Sequence, residues 1–163
     1  NYVPTLAPDL VGVSTNEVVS AVREGRVTVG GGAYLDFPDG PQPGEEVQVD
    51  GNTVSIRVRV RTPDYASIQR VIAYVNGVSV WEEMVETEVE TITDFDDVVT
   101  FPIERDSHVV FLALGGPSLA HIRPGKPVFA FSNPIWLDLD GGGISPIGAG
   151  SIPPIQTSFC QSE

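Results

Sequence analysis

Polar and apolar residues alternate with a period of two along most of this chain, and one segment departs into the longer period of a helix. That segment is STNEVVSAVREGR, residues 14–26, where Val18, Ala21 and Val22 fall on one helical face. Ser14 and Glu17 have capping-box spacing, in which the hydroxyl and the carboxylate each take a free backbone N–H. Gly25 stands where a left-handed residue would close the helix. From Arg26 onward the pattern is that of strands. TVSIRVRVRT (53–62) sets Val54, Ile56, Val58 and Val60 on one face and Ser55, Arg57, Arg59 and Arg61 on the other. VIAYVNGVSVWEE (71–83) places Asn76-Gly77 between two β-rich runs, which predicts a hairpin. MVETEVETIT (84–93) alternates again, with Val85, Thr87 and Val89 opposed to Glu86, Glu88 and Glu90. HVVFLALGG (108–116) is apolar on both faces, as a central strand would be.

Further strands are predicted near 26–29, 33–37, 46–50, 98–103, 128–131 and 135–139. About ten short strands separated by turn signals predict a mainly β fold, an antiparallel immunoglobulin-like β-sandwich with one N-terminal helix. The expected organisation is an N-terminal segment and helix over 1–25, the sandwich over 26–143 and an irregular tail over 144–163, with a loop at 36–46.

Composition narrows the function. The 163 residues suffice for one domain with a real core, and 17 glycines and 14 prolines agree with many turns. A net charge of −13, with Lys126 the only lysine, repels phosphate backbones and anionic lipid, so nucleic-acid and membrane-surface roles are disfavoured. No apolar run reaches the length that spans a bilayer. NYVPTLAPDL lacks the basic and apolar regions of a signal peptide, although a mature or excised piece would lack them too. A secreted or periplasmic location is expected over a cytoplasmic one. Cys160 is the one cysteine, which excludes an internal disulfide and a thiolate metal site.

Four clusters carry possible chemistry. Arg57, Arg59 and Arg61 form either an anion ladder or a solvated row paired across strands, and Glu86, Glu88 and Glu90 are the expected partners on the same face. Asp106, Ser107 and His108 are consecutive, so on a strand Ser107 would point away from the other two. With His121 the only other histidine, neither a triad nor a metal cluster is read there. The glycines at 30–32 and 141–143 are followed by neither a helix nor a Lys-Ser or Lys-Thr pair, which excludes a phosphate loop. Asp138 and Asp140 are a candidate calcium pair. Counted as an EF-hand, the loop would put Gly142 at its fifth position and Ala149 at its twelfth, so no EF-hand is present. Alternation would turn Ile135, Leu137 and Leu139 inward and Trp136, Asp138 and Asp140 outward, leaving open a partial calcium site completed by backbone carbonyls.

Three stretches, EVVSAVREGRVTVGGGAYLDF (17–37), GPQPGEEV (40–47) and FAFSNPIWLDLDGGG (129–143), together resemble the C-terminal part of PHP-type metal-dependent hydrolases of the carbaryl-hydrolase (CehA/McbA) group. Gly25 and Arg26 match the opening of that pattern and Asn133, Pro134 and Ile135 its late motif, while Gly31, Gly32 and Ala33 stand where Asn-Gly-Pro is usual. The resemblance implies that catalysis, with a divalent zinc, manganese or iron ion, belongs to a domain upstream of residue 1. Metal-assisted hydrolysis of an ester, amide, carbamate or phosphoester would be the parent reaction. This chain would then be a non-catalytic accessory domain beside that hydrolase domain, covering its substrate entrance or mediating assembly. Two other readings are open. One is a free-standing carbohydrate- or polymer-binding module stacking its ligand on Trp81, Trp136 and Tyr74; the other is a small enzyme built around His108 or His121.

Overall fold

The computed structural model describes residues 1–3, 12–86, 92–116, 119 and 122–144. In chain order the elements are α1 (Thr15–Arg23), β1 (Thr28–Gly31), β2 (Tyr34–Asp36), β3 (Glu46–Gln48), β4 (Thr53–Arg61), β5 (Ile68–Val75), β6 (Val78–Met84), β7 (Thr93–Pro102), β8 (Ser107–Gly115), β9 (Phe129–Ser132) and β10 (Ile135–Asp138). The Ser14 hydroxyl accepts the Glu17 N–H and opens α1. At its other end Gly25 takes φ +74°, and the N–H groups of Gly25 and Arg26 reach back to Val22 and Ala21. That is a Schellman closure, which satisfies two carbonyls the helix would leave bare. Ala21 is buried, but Val22 is exposed, so the apolar face of the helix is narrower than its sequence spacing predicts.

Among the described residues ten strands form two sheets, one of seven strands and one of three. In the larger sheet β8 is central, as its apolar character predicts. β5 lies antiparallel along one edge and continues into β6 through Asn76-Gly77, whose φ values of 51° and 80° are those of a type I′ turn. The other edge of β8 is shared end to end by β9, opposite Leu112–Leu114, and β10, opposite Ser107–Val109. Between them lies Asn133-Pro134, where proline has no N–H for the ladder and the strand must break. At this break the outer neighbour changes from β1, antiparallel to β9, to β3, parallel to β10. The Asn133 amide donates to the Gly25 carbonyl at 3.1 Å and so ties the helix end to the break. The smaller sheet has the order β2-β4-β7, with β4 and β7 paired along nearly their whole length.

The apolar faces of both sheets meet in one core. Ile56, Val58, Val60, Val99 and Phe101 come from the smaller sheet and Val71, Val109, Phe111, Ile135 and Leu137 from the larger. Phe111 joins them, with its ring 5.4 Å from Phe37 and 6.4 Å from Phe101. Each such side chain contributes about 1.5–3 kcal/mol by leaving water. The fold is thus mainly β, with two departures from expectation. The larger sheet is mixed, because β3 joins β10 in parallel; side-chain alternation marks a face but carries no record of strand direction. The run at 84–93 is not one strand. β6 stops at Met84 and β7 starts at Thr93, and residues 87–91 lie outside the described residues. Among the described residues no helix is long and apolar enough to cross a membrane.

Candidate functional site

The stretch ending β10 was expected to turn Asp138 outward, and by register it does share the face of Trp136, but the turn that follows covers it. Asp138 is 6% exposed. The strand ends at this residue, and its carboxylate folds back onto the glycine turn that follows. Gly141 donates its N–H to Oδ1 at 2.8 Å and Gly143 donates to Oδ2 at 3.1 Å. Asp140 accepts the Gly142 N–H at 2.8 Å, and Asp106, from the turn before β8, accepts the Leu139 N–H at 3.0 Å. One oxygen from each of the three aspartates lies within 4.8 Å of the others, so Asp106 joins the pair foreseen in the sequence. Calcium takes six to eight oxygens. These three carboxylates each already accept a backbone N–H, and the arrangement they make is a carboxylate-capped glycine turn joining β10 to the start of β8.

The arginine row lies on the outer face of the smaller sheet, paired by register with aspartates of the flanking strands. Arg57 donates to both oxygens of Asp96, at 2.8 and 3.2 Å. Arg59 makes the same forked contact with Asp36, which also lies 3.4 Å from Arg61. The Arg57 hydrogen bonds hold the Asp96 carboxyl below its usual range and push Arg57 further up, and the hydrogen bonds to Asp36 push Arg59 up in the same way. Of the expected glutamate partners, only Glu86 lies among the described residues. Glu86 follows β6 of the other sheet, Glu88 and Glu90 lie outside the described residues, and aspartates fill the role instead.

Asp106, Ser107 and His108 have three separate tasks. Ser107 is buried on the inner face, where its hydroxyl donates to the Arg105 carbonyl and accepts from the Asn76 amide. His108 lies on the outer face with its ring 5.6 Å from that of Trp136. Its Nδ1 is buried without a partner, and burial pushes its pKa down. His121 lies outside the described residues.

The three proposed stacking aromatics separate. Trp81 sits opposite Ala73 on the inner face and packs against Phe95 at 6.0 Å. Tyr74, opposite Val110, and Trp136, opposite His108, share the outer face of the larger sheet. That face is apolar well beyond them. Val110, Leu112 and Leu114 project there from β8, and Phe129 and Phe131 stack beside them with centroids 6.2 Å apart. Phe131 is 37% exposed and Trp136 36%.

A cleft of about 870 Å³ opens where the β1–β2 turn meets the loop after β4. Its floor is Gly31-Gly32-Ala33, and Tyr2, Tyr34, Arg61 and Tyr65 wall it. Backbone bonds between Tyr2 and Thr28 hold the Tyr2 ring edge-on to Tyr34, 4.8 Å away. The Arg61 guanidinium lies over the Tyr34 ring at 5.0 Å, near enough for cation–π attraction. Burial, and then Asp36, push the Tyr34 phenol above its ordinary pKa, so it remains a hydrogen-bond donor. Nothing in the sequence marks this cleft, whose lining comes from five separated segments. Compared with protein-family models, curated proteins and solved structures, the chain matches none.

Proposed function

We propose that this chain is a non-catalytic accessory domain, an immunoglobulin-like β-sandwich, that docks through the outer face of its larger sheet onto a neighbouring hydrolase domain of the same polypeptide. The observation that carries this reading is the apolar character of β8 on both faces. An antiparallel sheet with one face in water alternates polar and apolar residues. Here Val110, Leu112, Leu114, Phe129, Phe131 and Trp136 occupy the face that should be polar. Contiguous exposed apolar area of this kind marks a contact surface. The N-terminal residues support the same partner, because Tyr2 pairs with Thr28 of β1, the strand bordering Phe129 and Phe131. A domain placed ahead of residue 1 would enter beside the edge strand of this sheet. On this reading the Asp138–Asp140 turn is structural. The divalent zinc, manganese or iron ion implied by the sequence resemblance belongs to the upstream domain, where it would serve hydrolysis.

The test compares backbone hydrogen exchange of this chain alone with that of the same chain joined to its encoded upstream region. Protection gained at β8 and β9, and lost again in Leu112→Lys and Phe131→Lys, is the expected result. Equal exchange in the two proteins refutes the reading. Tyr74 and Trp136 sharing an exposed face supports a second one, a carbohydrate- or polymer-binding module. It expects Trp136 fluorescence to respond to soluble polysaccharide and the response to vanish in Trp136→Ala.

A further inference from the structure

The cleft between the β1–β2 turn and the loop after β4 is distinct from the apolar sheet face, and none of the apolar side chains named on that face lines it. Its volume lies within the range of small-molecule sites. Exposed apolar side chains converge on it: Tyr65 is 49% exposed, Ile122 59% and Ile92 68%. Scattered singly, such residues need no explanation, but here they edge one concavity together with Tyr2 and Tyr34. A Cβ at Gly32 would stand 2.8 Å from Leu119 Cδ2, so a side chain at this point of the floor would crowd the lining.

The cleft also concentrates positive charge in an acidic protein. Of nine basic residues in the chain, Arg61 and Arg123 both line it. Arg123 makes no ion pair among the described residues, and Arg61 shares the single carboxylate of Asp36 with Arg59, so neither guanidinium is fully matched in charge. Asp64 lies in the same lining and opposes a second negative charge on a ligand. We infer that this cleft binds a small ring-bearing monocarboxylate, its ring held among the tyrosines and its carboxylate on Arg61 and Arg123. Aromatic acids and uronic sugars share that chemistry. An arginine–carboxylate contact is charge-assisted and discriminates strongly against a neutral group of the same shape.

The test is titration of the whole chain, followed by heteronuclear NMR, with 4-hydroxyphenylacetate and galacturonate and their neutral counterparts 4-hydroxyphenylacetamide and galactose. At least one acid is expected to shift the amides of Tyr65 and Ile122 and to bind about tenfold or more tighter than its neutral counterpart. Whichever acid does so identifies the source of the ring. Arg123→Gln, at an exposed position, should remove most of that preference while leaving the fold spectrum unchanged, and Arg61→Lys should weaken it. Equal binding of acid and neutral compound overturns the proposal. So does no binding of either acid up to about 10 mM, a concentration that corresponds to almost no useful affinity.

Discussion

Replacing Asp138 by alanine separates a structural turn from an ion site. Asp138 is buried, and its two oxygens accept N–H groups from Gly141 and Gly143 at 2.8 and 3.1 Å. Hydrogen bonds to a charged group contribute about 1.5–3 kcal/mol each, so losing both costs about 3 kcal/mol even at the lower figure. In a domain of this size each kcal/mol moves the melting temperature by roughly 2–4 °C, which places Asp138→Ala roughly 6–12 °C below the parent. Asp138→Asn keeps one carbonyl oxygen and so one bond, and should lose about half as much. The measurement is thermal unfolding by circular dichroism in EDTA and again in millimolar calcium. If the carboxylate caps the turn, the loss appears in full in EDTA and calcium leaves the parent unchanged. A parent that melts several degrees higher with calcium, together with an Asp138→Ala variant unaltered in EDTA, would refute the capping account.

Three further outcomes follow from the packing and the turns. Phe111→Ala should destabilise the domain by about 3–5 kcal/mol in urea unfolding, because Phe111 is fully buried between Phe37 and Phe101. Gly77→Ala should cost about 1–2 kcal/mol in the same assay; a Cβ would touch nothing there, so the cost is that of holding an L-residue at φ +80°. His108, with its pKa lowered by burial, binds a proton less readily folded than unfolded. Its contribution is therefore complete above the unfolded value of about 6.5 and is lost as pH falls from there through the folded value. Urea midpoints between pH 4 and 8 should show this slope in the parent and a shallower one in His108→Gln.

How much of this was legible beforehand differs by residue. The Ser14 cap, the Gly25 closure and the Asn76-Gly77 hairpin are written in adjacent residues, and each appears where its signal lies. The alternation in β4 correctly turns Val54, Ile56, Val58 and Val60 inward and the arginines outward. It could not name the arginines' partners. Glu86, Glu88 and Glu90 match them in pattern, yet Asp36 and Asp96 meet them, because strand neighbours are chosen by pairing across 23 to 39 residues of chain. The candidate acid pair was visible, while Asp106 joined it only through the pairing of β8 with β10. Asp138 is buried on the outer face because the glycine turn folds over it and supplies N–H groups, which alternation does not record.

By itself the sequence determined the mainly β class, the helix and its caps, the hairpin, and the inward faces of the long strands, since these depend on residues within a few positions of one another. The tertiary structure alone decided the parallel entry of β3, the division of the aromatics between inner and outer faces, and the cleft joining Tyr2, Tyr34, Arg61 and Arg123. Those arise from contacts between segments distant along the chain. They are selected by burial of the common core, a property that no local pattern records.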